Sequence, residues 1–362
     1  MNTYIVDRSA LSSNIEKLKR YAGKAKIYGV IKGNGYGLGL LRMAGILREC
    51  GINAFAVTEI HEIRNLREHG FETEEILMLR ETALPEELDQ LLELNAVATV
   101  GNNECAIAMT NAAKKARRSF PCHVKIDTGM GRYGFKPADE ASLCAIYENT
   151  NLEIRGIYTH FHSAYSNMDA TQQQFNAFMK TCSFISSKGY STGTRHCCNS
   201  NAFLNNPEMH LDAVRIGSAF LGRLAFKDKL DLQRIGWCES RVESLRTLEA
   251  GDTVGYGAGW KAKQCTEIAV FGVGYYHGFG TSHEDDLFRL RDCLRNAYGW
   301  LRNYLKRKTF YVTVNGVRAN VIGHIGMVQT VVDVTGLQCK TGDKIRIEIN
   351  PLMLKNVEIT EI

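Results

Sequence analysis

Lys32 combines a reactive side chain with an unusual place in the sequence. It follows the apolar run Ile27–Ile31 and opens the glycine-rich segment Gly33–Gly39. Packing accounts poorly for a lysine that leaves an apolar strand in this way, whereas an amine at such a place can bind a carbonyl compound covalently or act as a base. Taken alone, the position is also compatible with an ordinary surface lysine.

Arg132 lies in a second glycine-rich segment. It follows the apolar run Cys122–Ile126 and stands among Gly129, Gly131 and Gly134. Three glycines so close together predict a tight loop that turns the guanidinium inward. Since a guanidinium can bind a carboxylate through two parallel hydrogen bonds, this loop is typical of a site for a carboxylate-bearing ligand.

Two histidines, His160 and His162, follow the apolar run Ile154–Tyr158. Alternate positions on one strand could supply two metal ligands. No third ligand cluster stands at a useful spacing in the sequence, and we therefore expect no metal site.

Small polar residues follow the last two apolar runs of this series. Asn199–Ser200 comes after Gly193–His196, and Gly217–Ser218 comes after Ala213–Ile216, a run that contains Arg215. Barrel proteins commonly bind phosphate with turns at these two positions, although each turn could also be ordinary loop capping. Taken together, the strand-end residues predict a pocket with an amine, a phosphate-binding turn and arginines that bind a carboxylate and a ring.

Eight short apolar runs, separated by amphipathic helical patterns, must position these residues. Their alternation over residues 1–225 predicts an α/β fold, a (β/α)8 TIM-like barrel with its site at the carboxyl ends of the strands. The alternative is an open doubly wound sheet, but no GxGxxG turn follows the first apolar run. The runs are Ile27–Ile31, Ala54–Val57, Ile76–Leu79, Val97–Val100, Cys122–Ile126, Ile154–Tyr158, Gly193–His196 and Ala213–Ile216.

Residues 226–362 show a different pattern, with strand-like runs and short connections that predict a mainly antiparallel β domain. One helical pattern, Asp285–Lys308, interrupts it, with acidic residues at its start and basic residues at its end, the order that a helix dipole favours. The simplest interpretation is an inserted, solvated helix. The strand-like runs are Arg241–Leu248, Ile268–Val273, Tyr311–Val314, Val317–Ile322, Thr330–Val334 and Ile345–Ile349.

Composition excludes several classes of protein. The chain has 362 residues, of which 44% are hydrophobic, and a net charge of +5 from 44 basic and 39 acidic residues. This length suggests two domains, and so small a charge excess argues against nucleic-acid binding. No apolar run reaches the roughly 18 residues of a membrane span, and the first residues lack an apolar signal core. Eleven cysteines without a CxxC pair indicate reduced thiols in a cytoplasmic protein.

The segment Val30–Gly39 resembles the cofactor-lysine signature of the alanine racemase family. The similarity continues in the family's order over nearly the whole chain, and the motifs around Lys32 and Arg132 are the most specific. The further matching segments are Lys125–Phe135, Thr159–Phe161, Asn199–Ser200, Val214–Gly217, Thr253–Gly257, Gly274–Tyr275 and Gly323–Asp333.

The resemblance implies a racemase that uses pyridoxal 5′-phosphate, with a role for each matching residue. Lys32 would hold the cofactor and act as a base, and Tyr256 would be the second base, supplied by the partner subunit of a homodimer. Arg132 would touch the cofactor and the substrate carboxylate, beside a Lys125 that is often carbamylated in the family. The other implied cofactor contacts are Tyr36, His160, Asn199, Ser200, Arg215, Gly217 and Ser218, of which Arg215 would face the pyridine nitrogen.

The entrance for the substrate departs from the family pattern. Tyr275 and Met327 would line it from the partner subunit, but Val328 replaces the family's aspartate and Tyr276–His277 replaces its usual Ala-Asp. The inserted helix follows directly, and the family normally continues past Ile362 and supplies another tyrosine. L-Alanine to D-alanine is the expected reaction, with serine, ornithine or lysine as alternative substrates.

Two other classes of protein remain as alternatives. The first is a lyase or decarboxylase on the same barrel, for which a longer phosphate loop, a C-terminal Cys-Asp motif or a C-terminal metal pair would be expected. The second is a non-catalytic cofactor-binding barrel, which would lack the β domain and Tyr256. The sequence therefore favours the racemase.

Overall fold

The protein consists of two compact units. The computed structural model describes residues 2–224, 226, 228–281, 290–305 and 310–362. One unit is Ser9–Ile235, and the other joins Met1–Arg8 to Gly236–Ile362. The division thus lies ten residues beyond the expected boundary at residue 225, and the beginning of the chain belongs to the second unit because it forms strand β1 (Thr3–Val6) there.

Eight parallel strands form a closed barrel, which confirms the predicted fold class. They pair in chain order, and the last pairs with the first, with Gly29 opposite Ile216. Most residues of these strands are buried, as expected for parallel strands covered on both faces. The strands are β2 (Lys26–Val30), β3 (Ala54–Val57), β4 (Glu75–Glu81), β5 (Val97–Val100), β6 (Phe120–Lys125), β7 (Leu152–Tyr158), β8 (Thr194–His196) and β9 (Ala213–Ile216).

Helices connect the barrel strands and cover their outer face. In α5 the buried residues are Leu88, Leu91 and Leu92, the spacing of one helical face, and Pro85 occupies its first turn. The helices are α1 (Arg8–Ala22), α2 (Lys32–Tyr36), α3 (Leu40–Glu49), α4 (Ile60–Glu68), α5 (Pro85–Glu93), α6 (Asn103–Ala116), α7 (Glu140–Glu148), α8 (Met168–Ser187) and α9 (Ser200–Asn205).

The second unit contains an eight-stranded sheet and a separate two-stranded pair, and its strands are mainly antiparallel, as predicted. The sequence pattern missed β1, β11, β12 and β18, each only two to four residues long. The strands are β10 (Gly236–Leu248), β11 (Thr253–Val254), β12 (Trp260–Lys261), β13 (Thr266–Phe271), β14 (Tyr311–Val314), β15 (Val317–Ile322), β16 (Thr330–Asp333), β17 (Lys344–Ile347) and β18 (Glu358–Glu361).

The inserted helix, α10 (Leu290–Leu305), confirms the helical pattern over its described part. The charged ends expected for it, 284–286 and 306–308, lie outside the described residues. Its leucines are exposed, so their helical spacing does not serve a core of this chain. Over the described ranges, no helix is both long and apolar enough to span a membrane.

Candidate active site

A cavity of about 410 Å³ opens at the carboxyl ends of the barrel strands. The structure brings ten of the predicted site residues together around it: Lys32, Tyr36, Lys125, Arg132, His160, Asn199, Ser200, Arg215, Gly217 and Ser218. They come from five different strand ends, and this is the arrangement by which barrel enzymes assemble a site from distant parts of the chain.

The turn after β2 gives Lys32 its place in the cavity. Gly33, Asn34 and Gly35 all have left-handed φ angles, of 63°, 56° and 64°, so this segment is a tight turn rather than a regular helix. Two glycines adopt this conformation at little cost, which explains the glycine-rich sequence. Burial lowers the pKa of Lys32, as do the nearby charges of Arg132 and Arg215, so more of its amine is uncharged and free to accept a proton at neutral pH than in an ordinary lysine.

Arg215 is held rigidly inside the barrel. Its Nη2 donates to the carbonyl oxygens of Thr159 and Cys197 at 2.7 and 3.2 Å, and its Nη1 lies 2.6 Å from Nδ1 of His196. Because a guanidinium only donates, Nδ1 of His196 must accept, so this histidine is neutral. Burial and the charge of Arg215 accordingly hold the pKa of His196 far below its usual value. Arg215 therefore presents a fixed positive charge to the cavity.

The loop that carries Arg132 is organised by the carboxylate of Asp127. This carboxylate accepts hydrogen bonds from the backbone N–H groups of Gly129 and Gly131 and from Nζ of Lys136, at 2.8–3.0 Å. Burial alone would raise the pKa of Asp127, but these donors lower it to about 2. A charged anchor of this kind keeps Arg132 at the cavity over the whole neutral pH range.

Lys125 is a buried amine, with only 3% of the residue exposed. Its Nζ lies 5.1 Å from the ring centre of Tyr133 and 5.4 Å from that of Tyr158. Burial, together with the charges of Arg132 and Arg215, lowers the pKa of Lys125 from 10.5 to about 8. About a tenth of this amine is therefore uncharged at pH 7, far more than in an ordinary lysine.

The lowered pKa of Lys125 has a consequence for stability. Between about pH 8 and 10.5 the unfolded chain keeps the lysine proton that the folded chain has released, so the free energy of unfolding should rise with pH in this window. Relative to Lys125→Met, the wild type should gain about 2 kcal/mol between pH 7.5 and 9.5. Urea unfolding in CO₂-free buffer measures the difference, and equal pH profiles for the two proteins would contradict the burial effect.

Residues with hydroxyl and amide side chains also line the cavity. The Ser200 hydroxyl accepts hydrogen bonds from the backbone N–H groups of Gly217 and Ala219 at 3.1 and 3.4 Å. Burial raises the pKa of Tyr36 to about 12, so its hydroxyl remains a hydrogen-bond donor. Asn199 lines the cavity, but its side-chain oxygen accepts from the first N–H groups of α9, so it also serves as a helix cap.

Position 217 requires a glycine because the Tyr36 side chain packs directly against its Cα. A Cβ atom at this position would lie 2.3 Å from the Tyr36 hydroxyl oxygen. Gly217→Ala should therefore lower the free energy of unfolding by about 1–3 kcal/mol, the usual cost of overpacking. Gly45→Ala in α3 is the matched control, because a Cβ there meets nothing within 4 Å, and it should stabilise slightly. Thermal unfolding of both variants measures this, and equal midpoints would argue against the close contact.

The remaining predicted site residues lie on the β unit. Tyr256 is 86% exposed, and Tyr275 and Met327 are also exposed. The backbone N–H groups of Tyr275 and Tyr276 donate to the carbonyl oxygens of Gly326 and Met327 at 3.0 and 2.9 Å, so these two segments are held side by side. The side chains of Tyr256, Tyr275 and Met327 therefore lie on the surface of this unit.

Comparison with known proteins decides the family. The family model of the alanine racemase N-terminal domain matches residues 6–224, and that of the C-terminal domain matches residues 237–293. The chain belongs to the alanine racemase family. An alanine racemase of Desulforamulus reducens is 31% identical over 91% of this chain and 84% of its own, and one of Clostridium tetani is 33% identical over 77% and 74%.

Solved structures of racemases share the same fold. The alanine racemase of Clostridium difficile 630 superposes with a TM-score of 0.85 at 24% identity, over 100% of this chain and 95% of its own. The resemblance drawn from the motifs around Lys32 and Arg132 is thereby confirmed for the family and for the fold.

Seven residues that line the cavity of this racemase-family barrel were not predicted. Thr58 and Arg80 come from the ends of β3 and β4, so the strand-end rule applied to the other strands would have found them. Tyr158 is the last residue of β7 and belongs to the apolar run Ile154–Tyr158; in the structure its ring stacks on that of His196, with ring centres 4.8 Å apart. The full set is Val30, Thr58, Leu79, Arg80, Tyr133, Tyr158 and Asn201.

Proposed function

We propose that the protein is a pyridoxal 5′-phosphate-dependent racemase that interconverts L- and D-alanine by a two-base mechanism. The observation that carries this proposal is that one cavity of the barrel unit is lined by Lys32, by Arg132 and by the Ser200–Gly217 turn. Family membership gives independent support, since the relatives that match over most of this chain are named alanine racemases.

The cavity fits the proposed cofactor. A Cβ at position 217 would displace the Tyr36 hydroxyl, so the glycine leaves this hydroxyl in place, and together with those of Ser200 and Ser218 it offers donors for a phosphate. Lys32 offers the amine for covalent attachment. When bound, pyridoxal phosphate makes the Cα proton of an attached amino acid acidic, because the ring delocalises the electrons left behind.

Arg215 is the residue expected to control protonation of the cofactor's pyridine nitrogen. A guanidinium keeps its proton, and this one is fixed by carbonyl oxygens and by His196. A permanent cation beside a pyridine nitrogen disfavours protonation of that nitrogen. If the ring nitrogen of the bound cofactor faces Arg215, as the family resemblance implies, Arg215 would leave that nitrogen unprotonated, and the weaker electron withdrawal would disfavour transamination.

Racemisation needs two proton-transfer groups on opposite faces of Cα. The lowered pKa of Lys32 makes its amine a suitable base on one face. Tyr256 is exposed on the β unit, and we propose a homodimer in which each subunit supplies this tyrosine, with Tyr275 and Met327, to the cavity of the other. Arg132 would hold the substrate carboxylate and orient Cα between the two bases.

The two bases should differ in the enantiomer they serve. Tyr256→Phe should slow Cα proton exchange from one enantiomer of alanine at least about 100-fold more than from the other, because a general base contributes 10²–10⁴-fold. Exchange of L- and D-alanine in D₂O, followed by NMR, measures both directions. Tyr304→Phe, an equally conservative change at another exposed tyrosine, is the control. Equal slowing of both enantiomers would contradict the two-base scheme.

Lys125 is proposed to carry a carbamate. Reaction with CO₂ needs an uncharged amine, and a pKa of about 8 provides one near neutral pH. The negative charge formed would face Arg132 and steady it. Incubation with ¹³C-bicarbonate should give a carbamate NMR signal that is absent from Lys125→Met.

A panel of amino acids tests the function itself. Alanine should be racemised fastest, while Val328 removes a carboxylate from the expected entrance and so admits serine or a longer amino acid to a measurable extent. One methylene changes discrimination by only about 1–3 kcal/mol. Steady-state rates on alanine, serine, ornithine and lysine decide the substrate. Release of CO₂ or an aldehyde without inversion would instead support a lyase.

The cysteines support a cytoplasmic location as part of this proposal. All eleven are free thiols, and none forms a disulfide. Free thiols in this number are typical of a reducing compartment.

A further inference from the structure

Glu62 is a buried carboxylate that joins two walls of the cavity. It lies in the first turn of α4 and is 3% exposed. Its Oε1 accepts a hydrogen bond from the backbone N–H of Asn34 at 3.0 Å, and its Oε2 accepts from those of Thr58 and Glu59 at 3.2 and 3.3 Å. The bond from Glu59 is ordinary helix capping, but the other two reach the loops after β2 and β3.

The contact with Asn34 falls on the turn that carries Lys32. Asn34 has a left-handed φ of 56°, a conformation that residues other than glycine rarely adopt. Its side-chain oxygen accepts from the backbone N–H of Leu40 at 2.9 Å, so the turn is fixed at its end as well as at Glu62. Loss of the Glu62 contact would therefore loosen the segment that places the lysine.

Glu62 is acidic, whereas the charged residues that line the cavity are not. The charged residues that line the cavity are all basic: Lys32, Arg80, Lys125, Arg132 and Arg215. Within the described part of the chain, no ion pair within 4 Å engages Glu62. A carboxylate bound only by backbone N–H groups keeps its charge available to act on a nearby cation.

We propose that Glu62 is a positioning residue for Lys32, which fixes the Lys32 turn through the Asn34 N–H and supplies the negative charge that balances Arg132 and Arg215 around the lysine nitrogen. This role rests on the proposed function in so far as Lys32 carries the cofactor. The direction of each electrostatic effect agrees with it: burial, Arg132 and Arg215 lower the pKa of Lys32, and Glu62 raises it. Glu62 thus limits how far the lysine pKa falls.

The test measures the titration of Lys32 in the full-length protein without cofactor. The rate of Lys32 acetylation by acetic anhydride, followed by peptide mass spectrometry from pH 6 to 11, reports the midpoint. Glu62→Gln should move that midpoint down by about one pH unit, a tenfold loss of proton affinity. Glu74→Gln is the matched control, since it removes another buried carboxylate, one that pairs with Arg48, and it should leave the Lys32 midpoint unchanged.

A second variant separates charge from position. Glu62→Asp keeps the charge but shortens the side chain, so the Lys32 midpoint should stay close to that of the wild type while amide hydrogen exchange at Asn34 becomes faster. A folded Glu62→Gln with an unshifted midpoint overturns the proposal. If Glu62→Gln does not fold, unchanged Asn34 exchange in Glu62→Asp overturns it.

The proposed function is tested separately by the cofactor. In protein loaded with pyridoxal phosphate, the visible absorbance band should titrate at lower pH in Glu62→Gln than in the wild type. If the wild type binds no cofactor, the proposed function fails, while the acetylation result still decides the role of Glu62.

Discussion

Lys32→Ala should abolish racemisation. The substitution removes both the amine proposed to attach the cofactor and one of the two bases, and a general base alone contributes about 10²–10⁴-fold. Solvent deuterium exchange at Cα should fall below detection for both enantiomers of alanine. In the wild type, borohydride reduction should fix the cofactor on the peptide that contains Lys32, and mass spectrometry identifies that peptide.

Lys26→Ala is the matched control for this experiment. Lys26 is the first residue of β2, the strand that Lys32 follows, and it is exposed at the opposite end of that strand, where its Nζ pairs with Glu75 at 3.0 Å. We expect this variant to keep its exchange activity and its cofactor label. Circular dichroism should show that both variants are folded. Labelling of another lysine by borohydride, or exchange that survives in Lys32→Ala, would refute the assignment.

Mixing two inactive variants should restore activity. If Tyr256 serves the cavity of the partner subunit, a hybrid dimer of Lys32→Ala and Tyr256→Phe chains has one cavity with both substitutions and one with neither. Equal mixing should make half of the dimers hybrids, so about a quarter of all cavities should be intact. The measurement is the alanine racemisation rate after subunit exchange, relative to the wild type at equal total protein.

The control is each variant alone, carried through the same dilution and mixing, which should remain inactive. Native mass spectrometry of differently tagged chains shows whether hybrids have formed. Hybrids that form without any gain in activity would show that the two residues do not act across subunits.

Much of the barrel could be predicted from local sequence because several of its strands are buried from end to end. Ala54–Val57, Val97–Val100 and Ala213–Ile216 were predicted with the bounds that the structure gives them. All three are buried along their whole length, so the apolar run and the strand coincide. The strand-end rule then located Lys32 and Arg132 without any distance information.

Other features could not be predicted in this way because they depend on distant partners. The backbone N–H groups of Asn34 and Thr58 donate hydrogen bonds to Glu62. In the sequence, Glu62 looks like any glutamate in the first turn of a helix. Arg80 lines the cavity yet is bonded to Glu87 at 2.9 and 3.0 Å, and no pattern in the sequence reports that pairing. The exposed leucines of α10 show the reverse case, where helical spacing was correct but did not imply burial.

The pairing of β1 governs when the β unit can be completed on the ribosome. This strand is made at the outset, but it pairs with β10, as in Thr3 with Glu239, and with β18, as in Thr3 with Glu358. At about 5–20 residues per second, these partners emerge on the order of tens of seconds later. The barrel strands, by contrast, pair with their neighbours in sequence, except where β9 closes the barrel on β2. Tyr4 and Val6, both fully buried in the finished protein, therefore stay without their final partners through most of synthesis.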